Sequence, residues 1–134
     1  MRSYIKIYGP PISKAIKNLE RLSIDIPEVS IMNKSIHMRV HEATREVAKE
    51  LSATPLGSYA MMAEFAMTYF DKSGSPLPRE RSSSVISRSG ETLGEYDFFF
   101  EWIQRPDQEQ VNKLIKEIDE VFAHLGCFYT ITTK

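Results

Sequence analysis

The sequence predicts an α+β fold in which one sheet carries two helices on a single face. Two strand–helix–strand patterns, one at each end of the chain, point to it, and so does an ordinary globular composition. With 134 residues, 42% hydrophobic and 26% charged, the chain has the length of one domain and enough apolar side chains for a core. We therefore expect a single domain over residues 1–134, with 33–94 as a central insertion.

From Ser3 to Tyr8 apolar and polar residues alternate, with Ile5 and Ile7 on one side and Tyr4, Lys6 and Tyr8 on the other. Period two is the mark of a strand with one buried face. Gly9-Pro10-Pro11 ends it, because proline gives the ladder no donor. Ile12, Ala15, Ile16, Leu19, Leu22 and Ile26 then recur near helical spacing, with Lys14, Lys17, Asn18, Glu20 and Arg21 opposite. This predicts a helix over about Pro11–Leu22, its charged side in water. Pro27 follows, and Val29–Met32 reads as a second strand.

The other end repeats the plan. Tyr96–Ile103 is dense in aromatic strand formers. Asp107, with Gln110 three residues on, has the form of a helix cap and its reciprocal partner. Val111, Leu114, Ile115, Ile118, Val121, Phe122 and Leu125 mark one face of a helix that Gly126 stops, and Cys127–Thr133 is the last strand. Two such units imply a ferredoxin-like sandwich. In the middle, Ser35–Val40 reads as a strand paired across Asn33-Lys34, and Glu42–Leu51 as a helix. Tyr59–Phe70 is ambiguous. Its Ala, Met and Glu favour helix, but Thr68–Pro76 reads as a strand running into a glycine hairpin, and strand is preferred. The elaboration is thus strand, helix, hairpin, and the Ser, Arg and Gly of Arg79–Gly94 predict the mobile part of the chain.

A sheet with both helices on one side leaves its other face to explain. Alternation places Tyr4, Tyr8, Phe99 and Phe128 there, with Lys6, Asp97 and Glu101 among them. An exposed aromatic patch marks an interface, so the chain is expected to pack this face on its insertion or on another copy of itself. Aromatic rings on a four-stranded sheet can also stack RNA bases. Lys and Arg total 17 against 18 Asp and Glu, a net charge of −1, which disfavours nucleic acid as a partner.

Chemistry is written faintly. If 35–40 is a strand, His37, Arg39 and His41 share one face, yet no metal-ligand spacing accompanies them, and no metal is assigned. Glu64 stands in an apolar run, where a carboxyl would be held protonated and act as general acid or base beside His37 and His41. Arg39, Lys6, Arg79, Arg81 and Arg88 are candidate contacts for a small anionic ligand. Gly9-Pro10-Pro11 is a poor anion cradle, since two prolines remove donors. The single cysteine, Cys127, excludes an internal disulfide and points to a reducing compartment. No stretch is long and apolar enough to span a bilayer. No cofactor fingerprint occurs. The sequence therefore predicts a cytoplasmic binding or regulatory module that self-associates through the open aromatic face. The alternatives are a small-molecule enzyme working at Glu64 and an RNA-binding domain.

Overall fold

The structure is a computed structural model that describes residues 1–40, 42 and 55–134. Its elements are β1 (Arg2–Tyr8), α1 (Ile12–Ile24), β2 (Val29–Asn33), α2 (described over 34–40), α3 (Pro55–Lys72), a 3-10 turn (Arg79–Arg81), β3 (Phe98–Trp102), α4 (Gln108–Leu125) and β4 (Phe128–Thr133). The fold is α+β: the described residues form four helices and one antiparallel sheet in the order β2-β3-β1-β4.

Both terminal units form where alternation and helical spacing place them. In register, Ile5 faces Phe98, Tyr4 faces Phe99 and Tyr4 also faces Thr132 across the other ladder. Ile5, Phe98, Phe100, Val29 and Ile31 therefore share one face, and they bury against Ala15 and Leu19 of α1 and Leu114, Ile118 and Phe122 of α4. Asp107 caps α4 as its spacing implies: its carboxylate accepts the Gln110 N–H at 2.8 Å, and Gln110 Oε1 accepts the Asp107 N–H at 3.0 Å. Asp107→Ala is expected to cost about 1 kcal/mol of stability, read as a shift of the urea midpoint. A change too small to measure would show that the cap adds nothing here.

The insertion departs from expectation twice. Residues 34–40 are helical rather than a strand. The cause is Asn33, read as a hairpin residue from sequence. Its Oδ1 accepts the Ile36 N–H at 2.9 Å, which is the side-chain cap that starts a helix. Tyr59–Phe70 is likewise helical, within α3. The glycine taken for a hairpin is its terminator. Gly74 has φ +81°, its N–H reaches the Asp71 carbonyl at 3.1 Å, and the Ser75 N–H reaches the Phe70 carbonyl at 3.1 Å. Those two bonds are the Schellman closure of a helix. The helix expected over Glu42–Leu51 lies, apart from Glu42, outside the described residues.

Arg79–Gly94 is not a free loop. The segment from Ser84 to Asp97 crosses the sheet face that α1 and α4 leave open. Ile86 bridges Ile31 in parallel, with the Ile31 N–H on the Val85 carbonyl at 2.7 Å and the Ser87 N–H on the Ile31 carbonyl at 2.8 Å. This covers the outer edge of β2. Further along, Tyr96 packs on Tyr4 at 4.8 Å between ring centroids, and the Asp97 N–H meets the Ile5 carbonyl at 2.9 Å. No helix among the described residues is long and apolar enough to cross a membrane.

Candidate functional site

The four aromatics of the open face divide into two pairs. Tyr4 and Phe99, over β1 and β3, are buried beneath the crossing segment, Phe99 completely. Tyr8 and Phe128 are 50% and 79% exposed. They are cross-strand partners at the β1–β4 seam, and Thr130 and Thr132 continue the exposed strip along β4. The cover thus protects one half of the face and stops short of β4. Alternation alone could assign all four rings to one face but could not say how far the insertion reaches across it.

Between the two halves lies a charged border. Lys6 Nζ donates to the Glu95 carbonyl at 2.7 Å, and the Asp97 carboxylate accepts the Ile7 N–H at 2.8 Å. Within the covered half, Glu101 of β3 accepts from Arg2 Nε at 2.9 Å and from Ser87 Oγ at 2.7 Å. Burial alone would raise the Glu101 carboxyl. The hydrogen bonds from Ser87, Ser89 and Arg2, with the guanidinium charge, outweigh it and hold the group below the usual carboxylate range.

The buried acid of this chain is not the one the sequence suggested. Glu64 is exposed on α3, so the apolar setting that would make it a general acid is absent. Helix periodicity turns the apolar run inward at Ala66 and Phe70 and Glu64 outward. Glu20, read as part of the wet side of α1, is 3% exposed instead. Its Oε1 accepts Asn33 Nδ2 at 2.7 Å and the Tyr69 hydroxyl at 2.5 Å. Desolvation raises its carboxyl above the ordinary value, against the hydrogen bonds from Tyr69 and Asn33 and the charges of Lys17 and Arg39. Burial and the same hydrogen bond push the Tyr69 phenol up to about 12, so it remains a donor. Arg39 lies over the Tyr69 ring, 5.5 Å from its centroid. One carboxyl thereby ties α1, the cap of α2 and the end of α3 together. The one sequence signal for this was the ring of polar groups (Asn33, Ser35, Tyr69) that the insertion could bring to α1.

The remaining candidates are scattered. His37 and Arg39 are exposed and lie on a helix, where residues two apart point to different sides, and His41 falls outside the described residues. Among the described residues no three of His, Cys, Asp and Glu gather as a metal-holding group. Of the expected anion contacts, Lys6 and Arg39 are engaged as above; Arg79 is exposed in the 3-10 turn, and Arg88 is exposed on the crossing segment. Arg81 is buried. Its Nη2 donates to the carbonyls of Ser23 at 2.9 Å, Ile26 at 3.1 Å and Val29 at 3.0 Å, and its Nη1 donates to Ser84 Oγ at 2.9 Å. It fastens the segment to the end of α1 and the start of β2 rather than waiting for a ligand. The Cys127 thiol is buried and donates to the carbonyls of Tyr8 and Gly9 at 3.3 and 3.2 Å. At the opposite end, a groove of about 260 Å³ runs between α1 and α4 over Leu22, Ile26, Trp102 and Leu114, with Asp25, Lys113 and Glu117 on its walls. None of the candidate residues lines it.

Comparison with known protein families, curated proteins and solved structures gives no significant match to this chain.

Proposed function

We propose that the chain is a binding or regulatory module that self-associates through the uncovered, β4-side part of its sheet face. The strand order β2-β3-β1-β4 and the pairing of α1 with α4 support a ferredoxin-like sandwich as its frame. The observation that carries the reading is the 79% exposure of Phe128 next to the half-exposed Tyr8. Two neighbouring rings are left in water on a face whose other aromatics are carefully covered, and apolar surface of this kind is normally buried against a partner. The covered Phe99 is an unsuitable place to test it, because a charge there would strike the core.

The test is solution mass by size exclusion with light scattering, on the wild type and on a Tyr8→Lys/Phe128→Lys variant. The wild type is expected to run at twice the chain mass and the variant at one. Both side chains are solvent-facing, so folding should change by no more than about 0.5 kcal/mol for each replacement. A wild type that is monomeric at every concentration tested removes the proposal.

A further inference from the structure

The exposed rings sit beside a second feature of the same strand, its free edge. β4 is the last strand of the sheet and pairs only with β1 among the described residues. Arg2 and Lys134 exchange both main-chain hydrogen bonds at 2.9 Å. Antiparallel ladders alternate, so Phe128, Thr130 and Thr132 also turn their N–H and C=O groups toward β1. Tyr129, Ile131 and Thr133 turn theirs away. The outer edge of β4 thus offers three donors and three acceptors along six residues, Phe-Tyr-Thr-Ile-Thr-Thr.

Edges of this kind are commonly blunted by a charge, a proline, a bulge or a covering segment. β2, at the other side of the sheet, has such a cover in residues 85–87. β4 has no proline, bulge or covering segment among the described residues, and the charge that follows it, on Lys134, is turned inward over the Tyr4 and Tyr96 rings. Its six side chains are uncharged, aromatic or β-branched with no exception, a composition that favours strand pairing.

The geometry points to a second copy of this chain as the occupant, paired β4 to β4 in antiparallel register about a two-fold axis through Ile131. This rests on the self-association proposed above but moves its contact from the ring face to the adjoining edge of β4, where Phe128 is covered only by the partner's Lys134 stem and Tyr8 stays in water. In that register Ile131 lies opposite the partner's Ile131 and Tyr129 opposite the partner's Thr133. All three outward donors and all three acceptors of each strand are then satisfied. The axis stands perpendicular to the sheet, so each side chain keeps its face. On the open side Thr130 meets the partner's Thr132, and Phe128 meets the stem of the partner's Lys134. No two like charges are opposed along the strand, and cross-strand pairs of β-branched residues are favourable ones. The exposed strip of Tyr8 and Phe128 becomes continuous with its copy. Main-chain bonds supply the contact, and the alternation of side chains fixes its register, as in strand addition generally.

Thr130 and the partner's Thr132 form a non-hydrogen-bonded pair, with Cα atoms about 4.5 Å apart, inside the range a disulfide spans. Thr130→Cys and Thr132→Cys chains, each made in a Cys127→Ala background and carrying different tags, are mixed and oxidised. The expected result is a covalent dimer holding one of each tag, in clear excess over like-with-like dimers. Light scattering on the same samples before oxidation separates the two levels of the claim. A dimer by mass with no preference for the mixed disulfide overturns the strand register and leaves self-association through the face standing. A monomer by mass overturns both. Ile131→Pro provides a check without cysteines. It removes one outward donor and no donor to β1, so it is expected to weaken the dimer at least tenfold with the circular dichroism unchanged. A dimer of wild-type strength in a folded Ile131→Pro chain overturns the strand-to-strand contact.

Discussion

Replacing Arg81 by alanine is expected to lower folding stability by about 3 kcal/mol, since hydrogen bonds from a charged donor contribute about 1.5–3 kcal/mol each and these carbonyls each lose one. The Ser23 and Ile26 carbonyls keep a backbone partner, from the Ile26 and Val29 N–H groups, so the loss falls short of fully orphaned acceptors. Part of it is also offset, because a buried guanidinium is itself expensive to desolvate. Burial lowers the Arg81 pKa, with the nearby Glu28 charge opposing, and its Nε has no hydrogen-bond partner. What remains is the geometric point that a planar fork reaches two elements at once. Arg81→Lys is therefore expected to recover little, as a single ammonium cannot span the same acceptors. Because Arg81 anchors the segment that covers Phe99 and Tyr4, its loss should also expose apolar surface in the native state. The denaturant slope should then fall along with the midpoint. A midpoint within about 0.5 kcal/mol of the wild type, in the range of an ordinary surface change, would show that the segment is held by its apolar contacts alone.

Glu20 predicts a stability that falls as pH rises. Its folded-state carboxyl lies above its unfolded value, so between those two values the folded chain holds more protons than the unfolded one. Stability contributed by the protonated carboxyl is then complete below the unfolded pKa, near 4.5, and is lost as pH climbs through the raised folded pKa. Glu20→Gln keeps an acceptor for Asn33 and Tyr69 and cannot ionise. The stability difference between Glu20→Gln and the wild type is expected to move in favour of glutamine across that window and level off above it. Glu101 works in the opposite sense, since its lowered carboxyl adds stability that disappears on acidification. It is common to both chains and cancels in the difference. Urea midpoints of the two proteins at steps from pH 4 to 8 make the comparison, and a difference that does not change with pH would show that Glu20 is not held protonated by the fold. Glu20→Ala leaves both donors unsatisfied in a buried place and is expected to cost about 3 kcal/mol at low pH, where the wild-type carboxyl is protonated, and less as pH rises through the raised folded value.

The legible parts of this fold are those in which one pattern has one partner. Ile5, Ile7, Phe98 and Phe100 alternate because a strand faces one helical layer, and the two ladders of β1 place all four on that face. The cap of α4 is local, three residues long, and was readable for the same reason. Glu20 was not readable, because α1 packs on two sides. Its apolar stripe meets the sheet, while its polar side meets Tyr69 of α3 and Asn33. Amphipathic spacing describes only the first contact. Asn33 and Gly74 belong to a second class of miss. Both are turn residues by type, yet each ends or begins a helix as readily as it makes a hairpin, and the flanking residues do not decide between the two. The candidate site was legible in kind, since all four aromatics lie on the predicted face. Its extent was not, because it depends on where residues 84–97 run.

The parallel bridge of Ile86 on Ile31 has one more effect. Among the described residues it leaves the sheet open to strand addition on the β4 side alone. Were both outer strands bare, each added copy would present a fresh edge, and β-pairing would run on as a fibre. With β2 sealed, two chains that meet through β4 use up every site of growth between them. Such an isologous contact closes a point group and terminates the polymer at two. A chain cut or mutated so that residues 85–87 leave β2 would regain the second edge, and the proposed dimer would give way to aggregation.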